Sequence, residues 1–331
     1  MIKVAMFPNA SAARYWRLED PAKYLNRLGD FEVRVIETGI NEEVANWADI
    51  YVLQGCIDQS GIALLYAYQQ EFGKKIIVDS DDYLKVQADN PHKLEHDRSN
   101  AVAVVKRTMQ IANGITVTNE YLRQQYLAIN PNVRVLPNFM DLERWDMPIL
   151  KNESSEIRIG WAGSMTHLKD VGLVRKALID LMIDYPKAKL ILMGDPRLKR
   201  YFDGLNVEVI LGVPFEAYPS KLRSLRLDVG IAPIRDVKFN RFKSPIKAME
   251  YGIMGVPVVA SNIPPYSDFI EDEVDGYLAR RDGMWLSCIE SIIEKKEIEK
   301  QNMVDAMRKK IVGQYDLSKN IHMWADFYKS L

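Results

Sequence analysis

The sequence holds two cysteines, four histidines and no long apolar run. Cys56 and Cys288 lie in unrelated segments without metal-ligand spacing, which excludes a disulfide framework and leaves two packed, reduced thiols as expected in the cytoplasm. The charge-free stretch Tyr251 to Ser267 is interrupted by Gly252, Gly255, Pro257, Pro264 and Pro265, so it does not supply the roughly 20 apolar residues of a membrane helix. Charge of one sign is also lacking. With 44 Lys and Arg against 45 Asp and Glu, the net charge of −1 excludes the basic excess of a dedicated nucleic-acid module, while a local patch stays compatible. The opening residues, MIKVAMFPNA, read directly as a strand with no leader, which again fits a cytoplasmic protein.

What is present is a chain of 331 residues, 47% hydrophobic and 27% charged, enough for two domains with ordinary cores. Short β-branched runs (IKVAMF, EVRVI, DIYVLQ, KKIIVDS, GITVTN, VRVLPN) alternate with helical patterns up to Asn138. Such alternation predicts a parallel sheet covered on both faces. Asp141 to Glu156 then changes to polar, loop-like character, and a second βα series follows: IRIGWAG, a helix over LKDVGLVRKALIDLMIDY, AKLILMG, VEVILG, DVGIAPI and PVVAS. The expected division is 1–145, a linker at 146–156, and 157–313, with a last helix at 314–331 whose Ile321, Trp324, Phe327 and Tyr328 pack back on the first domain. Two doubly wound domains name no function, but they place the site at the carboxyl ends of the strands, in a central cleft.

Four stretches carry chemistry. In FNRFKSPIKAMEYGIMGVPVVAS, Pro245 suits a first helical turn, Ser244 suits its cap, and Lys243 stands beside that terminus, so a phosphate would meet an ammonium, a hydroxyl and free amides. Glu250, roughly two turns along, suits the hydroxyls of a ribose. A capped surface helix with solvated charges accounts for the same residues. In IGWAGSMTHLKD a strand ends in Gly160, Ala162, Gly163 and Ser164, with His167 and Lys169 beyond; the pattern is neither a dinucleotide fingerprint nor a Walker loop, and a tight turn explains it equally well.

IIVDSDDYL places Asp79, Asp81 and Asp82 at a strand end, either to orient or deprotonate a hydroxyl or to cap a helix. PNASAARYWR brings Asn9, Arg14 and Arg17 after the first strand, to meet phosphate or acceptor or to stand as solvated helix charges. HKLEH, His92 to His96, matches a zinc-peptidase spacing, but its polar setting after Pro91 and the want of a third ligand argue for chance, and no metal site is expected.

GWAGS followed by THLKD, together with NRFKSPIKAMEYGIMGVPVVAS, resembles the glycine loop and donor signature of the retaining GT-B glycosyltransferases, family four in particular. VTNEYL, VLPNFMD, DGYLA and the final helix extend the resemblance over most of the chain, most strongly from Ile157 to Ala279. The resemblance implies an α/β GT-B fold of two Rossmann-like domains. A nucleoside-diphosphate sugar would lie on the second domain, and the acceptor (a polysaccharide, lipid-linked sugar, protein or modified nucleic-acid base) on the first. Taken with the readings above, the candidate donor contacts are Gly163, Ser164, His167, Asn240, Arg241, Phe242, Ser244 and Glu250, the candidate acceptor-side residues Asn9, Arg14, Arg17, Asp79 and Asp82, and the catalytic candidates Lys243, Lys169 and Asp81, with no cofactor or metal expected. One departure is Phe242, which stands where the family often has a glutamate; Asn240 to Ser244 fits an N-x-x-K-S variant. A non-catalytic nucleotide-sugar-binding protein or a GT-B epimerase is the alternative.

Overall fold

A computed structural model describes residues 1–331 except 57, 86–92, 95–99 and 282, so His92 and His96 lie outside the described residues. The chain forms two compact units. The first comprises Met1–Asp141, Phe242–Ser244 and Tyr315–Leu331. Its strands are β1 (Ile2–Phe7), β2 (Phe31–Val35), β3 (Ile50–Gln54), β4 (Lys75–Ser80), β5 (Gly114–Val117) and β6 (Val133–Val135). All are parallel, in the order β2-β1-β3-β4-β5-β6.

Alternation along β1 explains the two-sided burial. Val4 and Met6 join one apolar cluster with Leu25, Val52 and Ile77, whereas Ala5 and Phe7 join the opposite one with Tyr51, Leu53 and Ile76. The chain's last segment completes the first of these clusters through Leu317, Ile321, Trp324, Phe327 and Tyr328. Burying one such aromatic is worth about 1.5–3 kcal/mol.

The second unit comprises Leu142–Arg241 and Pro245–Gln314, so residues 146–156, expected as a linker, are part of it. Its strands are β7 (Ile157–Gly163), β8 (Ala188–Gly194), β9 (Val207–Leu211), β10 (Val229–Ala232), β11 (Val258–Ser261) and β12 (Tyr277–Ala279). They are parallel, in the order β12-β11-β10-β7-β8-β9. Strand succession reverses between β1 and β3 in the first sheet and between β7 and β10 in the second; such switch points open a crevice beyond the strands' carboxyl ends. The helix expected after β7 is interrupted: a 3₁₀ turn at Met165–His167, one α turn at Leu168–Val171 and a second 3₁₀ turn at Gly172–Val174 precede the helix Arg175–Asp184. Among the described residues no helix is long and apolar enough to cross a membrane.

Candidate functional site

At the second unit's switch point, small residues end β7 for reasons internal to the protein. A Cβ on Gly160 would meet Leu227 at 2.1 Å, and one on Gly163 would meet the Trp161 ring at 2.6 Å. Beyond them the Ser164 hydroxyl bonds Thr166 Oγ1 at 2.6 Å, and Ser164 and Lys169 are exposed. Asp170, 2% exposed, gathers the neighbouring loops. Its Oδ2 meets His167 Nδ1 at 3.0 Å, and its Oδ1 accepts from the Arg235 amide at 3.0 Å, Arg235 Nε at 3.2 Å and Asn240 Nδ2 at 3.1 Å. Burial works to raise this carboxyl's pKa, but the bonds from His167 and Arg235 outweigh it and hold the group below its ordinary value.

Asn240 has no exposed surface, and its amide donates to Asp170 and to the Arg235 carbonyl at 2.9 Å. Asn240, expected among the donor contacts, thus uses its side-chain amide to brace a loop. Arg241 is exposed and chelates Asp236 at 2.6 and 2.7 Å, a surface pair of small energetic weight.

Helix Ile246–Ile253 follows, with Pro245 at its N-cap and no side-chain cap bond, so Ser244 is not the cap that its sequence position suggests. A residue before proline is restricted to extended conformations, which moves the helix start forward. Three side chains of this helix serve the site. Lys247 Nζ donates to the Ala162 carbonyl and lies 5.5 Å from the Trp161 ring centre. Tyr251 Oη accepts from the Ala162 amide at 3.1 Å, which pins the end of β7. Glu250, 6% exposed, accepts from Tyr218 Oη at 2.9 Å. Burial pushes its carboxyl up to about 7 against the opposing pull of Lys247 and Tyr218.

In the first unit, the segment after β1 bends back through an Asx turn: Asn9 Oδ1 accepts from the Ser11 amide at 2.9 Å and from its hydroxyl at 2.6 Å. The Asn9 amide donates to Gln54 Oε1 at 3.3 Å, across the switch point of that sheet. Gln54 is buried, and its Nε2 has no hydrogen-bond partner among the described residues. Arg14 pairs with Glu19 at 2.6 Å and with Glu37.

The readings of Arg17 as a solvated or ligand-facing cation, and of Asp79 as a carboxylate for an acceptor, are both corrected. Arg17 is 0% and Asp79 2% exposed. Arg17 donates to Asp79 through Nη2 at 2.7 Å and Nε at 3.1 Å, and through Nη1 to the Leu136 carbonyl (2.5 Å) and Asn138. Asp79 also accepts from Thr116 Oγ1 at 2.6 Å. These two residues compensate each other inside the fold.

Asp81, half-buried, differs. Burial and the neighbouring charges of Asp82 and Asp79 push its carboxyl up to about 7, opposed by Arg17. Asp82 lies 3.6 Å from Lys243 Nζ. Phe242 belongs to the first unit's apolar cluster and stacks on Tyr83, centroids 4.9 Å apart at 14°. Asn119 Nδ2 donates to the carbonyls of Phe242 at 2.7 Å and Lys243 at 3.2 Å.

Asp170, Tyr218 and Gln54 are not singled out as site residues by the sequence. For Asp170 a signal existed, since His167 and Asp170 stand at i and i+3, neighbours on one helical face. For Gln54 and Tyr218 nothing local distinguishes the residue. Among the described residues no three His, Cys, Asp or Glu side chains come together as a metal-binding group.

Residues 156–295 match the family model described as Glycosyl transferases group 1. No curated protein matches the sequence. Among solved structures, HepE of Anabaena in complex with UDP-glucose is similar at TM-score 0.73 and 13% identity over 100% of each chain. Sucrose-phosphate synthase of Thermosynechococcus elongatus is similar at TM-score 0.70 and 12% identity, over 100% of this chain and 99% of that one. A point mutant of TarM from S. aureus, in complex with fondaparinux, alpha-GlcNAc-glycerol and UDP, is similar at TM-score 0.61 and 15% identity, over 84% of this chain. The match covers 55% of the TarM chain, so this chain spans about half its length. These likenesses concern the fold, two six-stranded parallel sheets with flanking helices. The chain thus has the GT-B fold, and its residues 156–295 are similar to the glycosyl transferases group 1 family.

Proposed function

We propose that the protein is a retaining, metal-independent glycosyltransferase of the cytoplasm that moves a sugar from a nucleoside-diphosphate sugar to an acceptor hydroxyl. The observation that carries this reading is the second unit's switch point: a buried Glu250 held by Tyr218 follows the loops at the ends of β7 and β10, within the segment matched by the group 1 family. Glu250 suits the ribose hydroxyls, and the exposed Ser164 and Lys169 with the Gly163 amide suit the diphosphate. HepE and TarM, similar in fold, were solved with UDP-glucose and with UDP.

Breaking the sugar–phosphate bond builds negative charge on the departing diphosphate, and preorganised cations and amides lower that barrier. Lys169 and Lys243 are the proposed cations. The leaving phosphate accepts the acceptor's proton on the same face of the sugar, so no covalent nucleophile is needed and configuration is retained. The acceptor is proposed to bind the first unit near Asn9, Asp81 and Asp82, with Asp81, raised to about 7, accepting a hydrogen bond that orients the hydroxyl toward the sugar while its proton passes to the leaving phosphate.

The test is incubation with UDP-, GDP- and ADP-sugars and an acceptor panel, with and without EDTA, with products read by mass spectrometry and anomeric NMR. The proposal expects transfer with retained configuration, unaffected by EDTA. Inverted product, or activity abolished by EDTA and restored by manganese, contradicts the mechanism. Binding of a nucleotide sugar without turnover would support a non-catalytic binding protein, and turnover without an acceptor an epimerase.

A further inference from the structure

The interrupted backbone after β7 and the loop after β10 are short irregular segments, and irregular segments hold a shape only where something fixes them. Here one buried carboxylate does so. Asp170 takes His167 from the first segment and Arg235 and Asn240 from the second, with contacts of 3.0 to 3.2 Å, and Asn240 closes the second loop on itself through the Arg235 carbonyl. An ionised carboxylate only accepts, so His167 Nδ1 carries the proton of their shared bond. Next along the second loop, the Ile234 amide is held by Ser261 Oγ at 2.9 Å, which ties that loop to β11 as well. The two segments meet where the strand order reverses, the place at which open α/β sheets bind ligands.

We infer that Asp170 is a positioning residue, which locks the loops after β7 and β10 into one preorganised surface for the diphosphate of a nucleotide. The inference rests on the nucleotide-sugar reading above and specifies which residue makes that site rigid. Asp170 need not touch the ligand. Buried at 2% exposure, it acts through its neighbours, so its removal takes the acceptor from the Arg235 amide and one of the two acceptors from the Asn240 amide, and lets the exposed Ser164 and Lys169 shift.

The experiment titrates UDP, ADP and GDP, each alone, and the matching nucleosides, into wild type, Asp170→Ala and Asp170→Asn. Amide hydrogen exchange is followed over residues 164–171 and 233–241 in the same proteins. For the diphosphate that wild type binds, Asp170→Ala is expected to raise Kd at least tenfold, with less than a twofold change for the nucleoside. The Arg235 amide is expected to lose protection together with the first loop. Asp170→Asn keeps Oδ1 as an acceptor and is expected to fall between the two. It also decides the matter if Asp170→Ala does not fold: a diphosphate Kd within twofold of wild type then overturns the inference. Lost protection with unchanged diphosphate affinity would show a purely structural residue, and unchanged protection would show that Asp170 does not join the loops; either overturns the inference while the donor reading stands. Failure of wild type to bind any of the three diphosphates would overturn the donor reading, and this inference with it.

Discussion

Replacing Glu250 by Gln removes one ionisation and almost nothing else, since a Gln oxygen still accepts the Tyr218 hydroxyl. In the folded protein the carboxyl titrates at about 7, chiefly because it is buried, against an ordinary value of 4.5. Between those two pH values the folded state therefore holds a proton that the unfolded chain has released. Stability contributed by this group is complete below pH ~4.5 and is lost as pH rises through about 7. The difference of about 2.5 pH units, at ~1.4 kcal/mol per unit, is about 3 kcal/mol.

Wild type is therefore expected to lose about 3 kcal/mol relative to Glu250→Gln between pH 4.5 and pH 8, or roughly 6–12 °C in the melting of a unit of this size. Calorimetric melting of both proteins across that range is the assay. Subtracting one profile from the other cancels every group that the substitution leaves alone. A flat difference would refute the reasoning, because Glu250 would then ionise as if it were in water. The same ionisation bears on function: nucleotide affinity is expected to rise with pH through about 7 in wild type and to be weaker and pH-independent in Glu250→Gln.

Three further outcomes follow from the geometry. Asp79→Ala strands the fully buried Arg17 and is expected to cost about 3–5 kcal/mol, read from denaturant melts, without altering nucleotide affinity; a loss under 1 kcal/mol would show that the pair carries no such weight. Gly163→Ala puts a Cβ 2.6 Å from the Trp161 ring and is expected to destabilise by about 1–3 kcal/mol, whereas a neutral Tm would mean that the ring moves freely. If the ionised Asp81 orients the acceptor hydroxyl, transfer rate rises with pH through about 7 and that limb disappears in Asp81→Asn; an unchanged profile removes Asp81 from the mechanism.

The second sheet shows what a local pattern can reveal. IRIGWAG and AKLILMG read as strands to the residue, because β-branched and apolar runs end in glycines, of which Gly194 sits at φ +151 against the Gly163 carbonyl. GITVTN runs past its strand because Asn119 turns away to cap the next helix, its Oδ1 accepting from the Leu122 amide at 2.9 Å. Ser244 looked like a cap by residue type alone, but the proline after it sets where the helix begins. Arg17 was legible as a cation but not as a buried one. Its partner lies 62 positions away, and only the parallel pairing of β4 in the sheet brings Asp79 to it. Glu250 was legible as a carboxylate two turns into its helix, but not as a buried one: burial raises its titration, and the Tyr218 hydroxyl that opposes this lies 32 positions earlier. Residue type and short spacing thus indicated the strands and the kind of chemistry, whereas burial and pairing came from long-range contacts.

The central claim is that the second unit binds a nucleotide through Glu250. Calorimetric titration of UDP, ADP and GDP into wild type and Glu250→Ala at pH 8, where the carboxyl is largely ionised, tests it most directly. One nucleotide binding wild type, with affinity falling at least tenfold in Glu250→Ala, is the expected result. No binding to wild type by any of the three, or equal affinity in the two proteins, would contradict the claim.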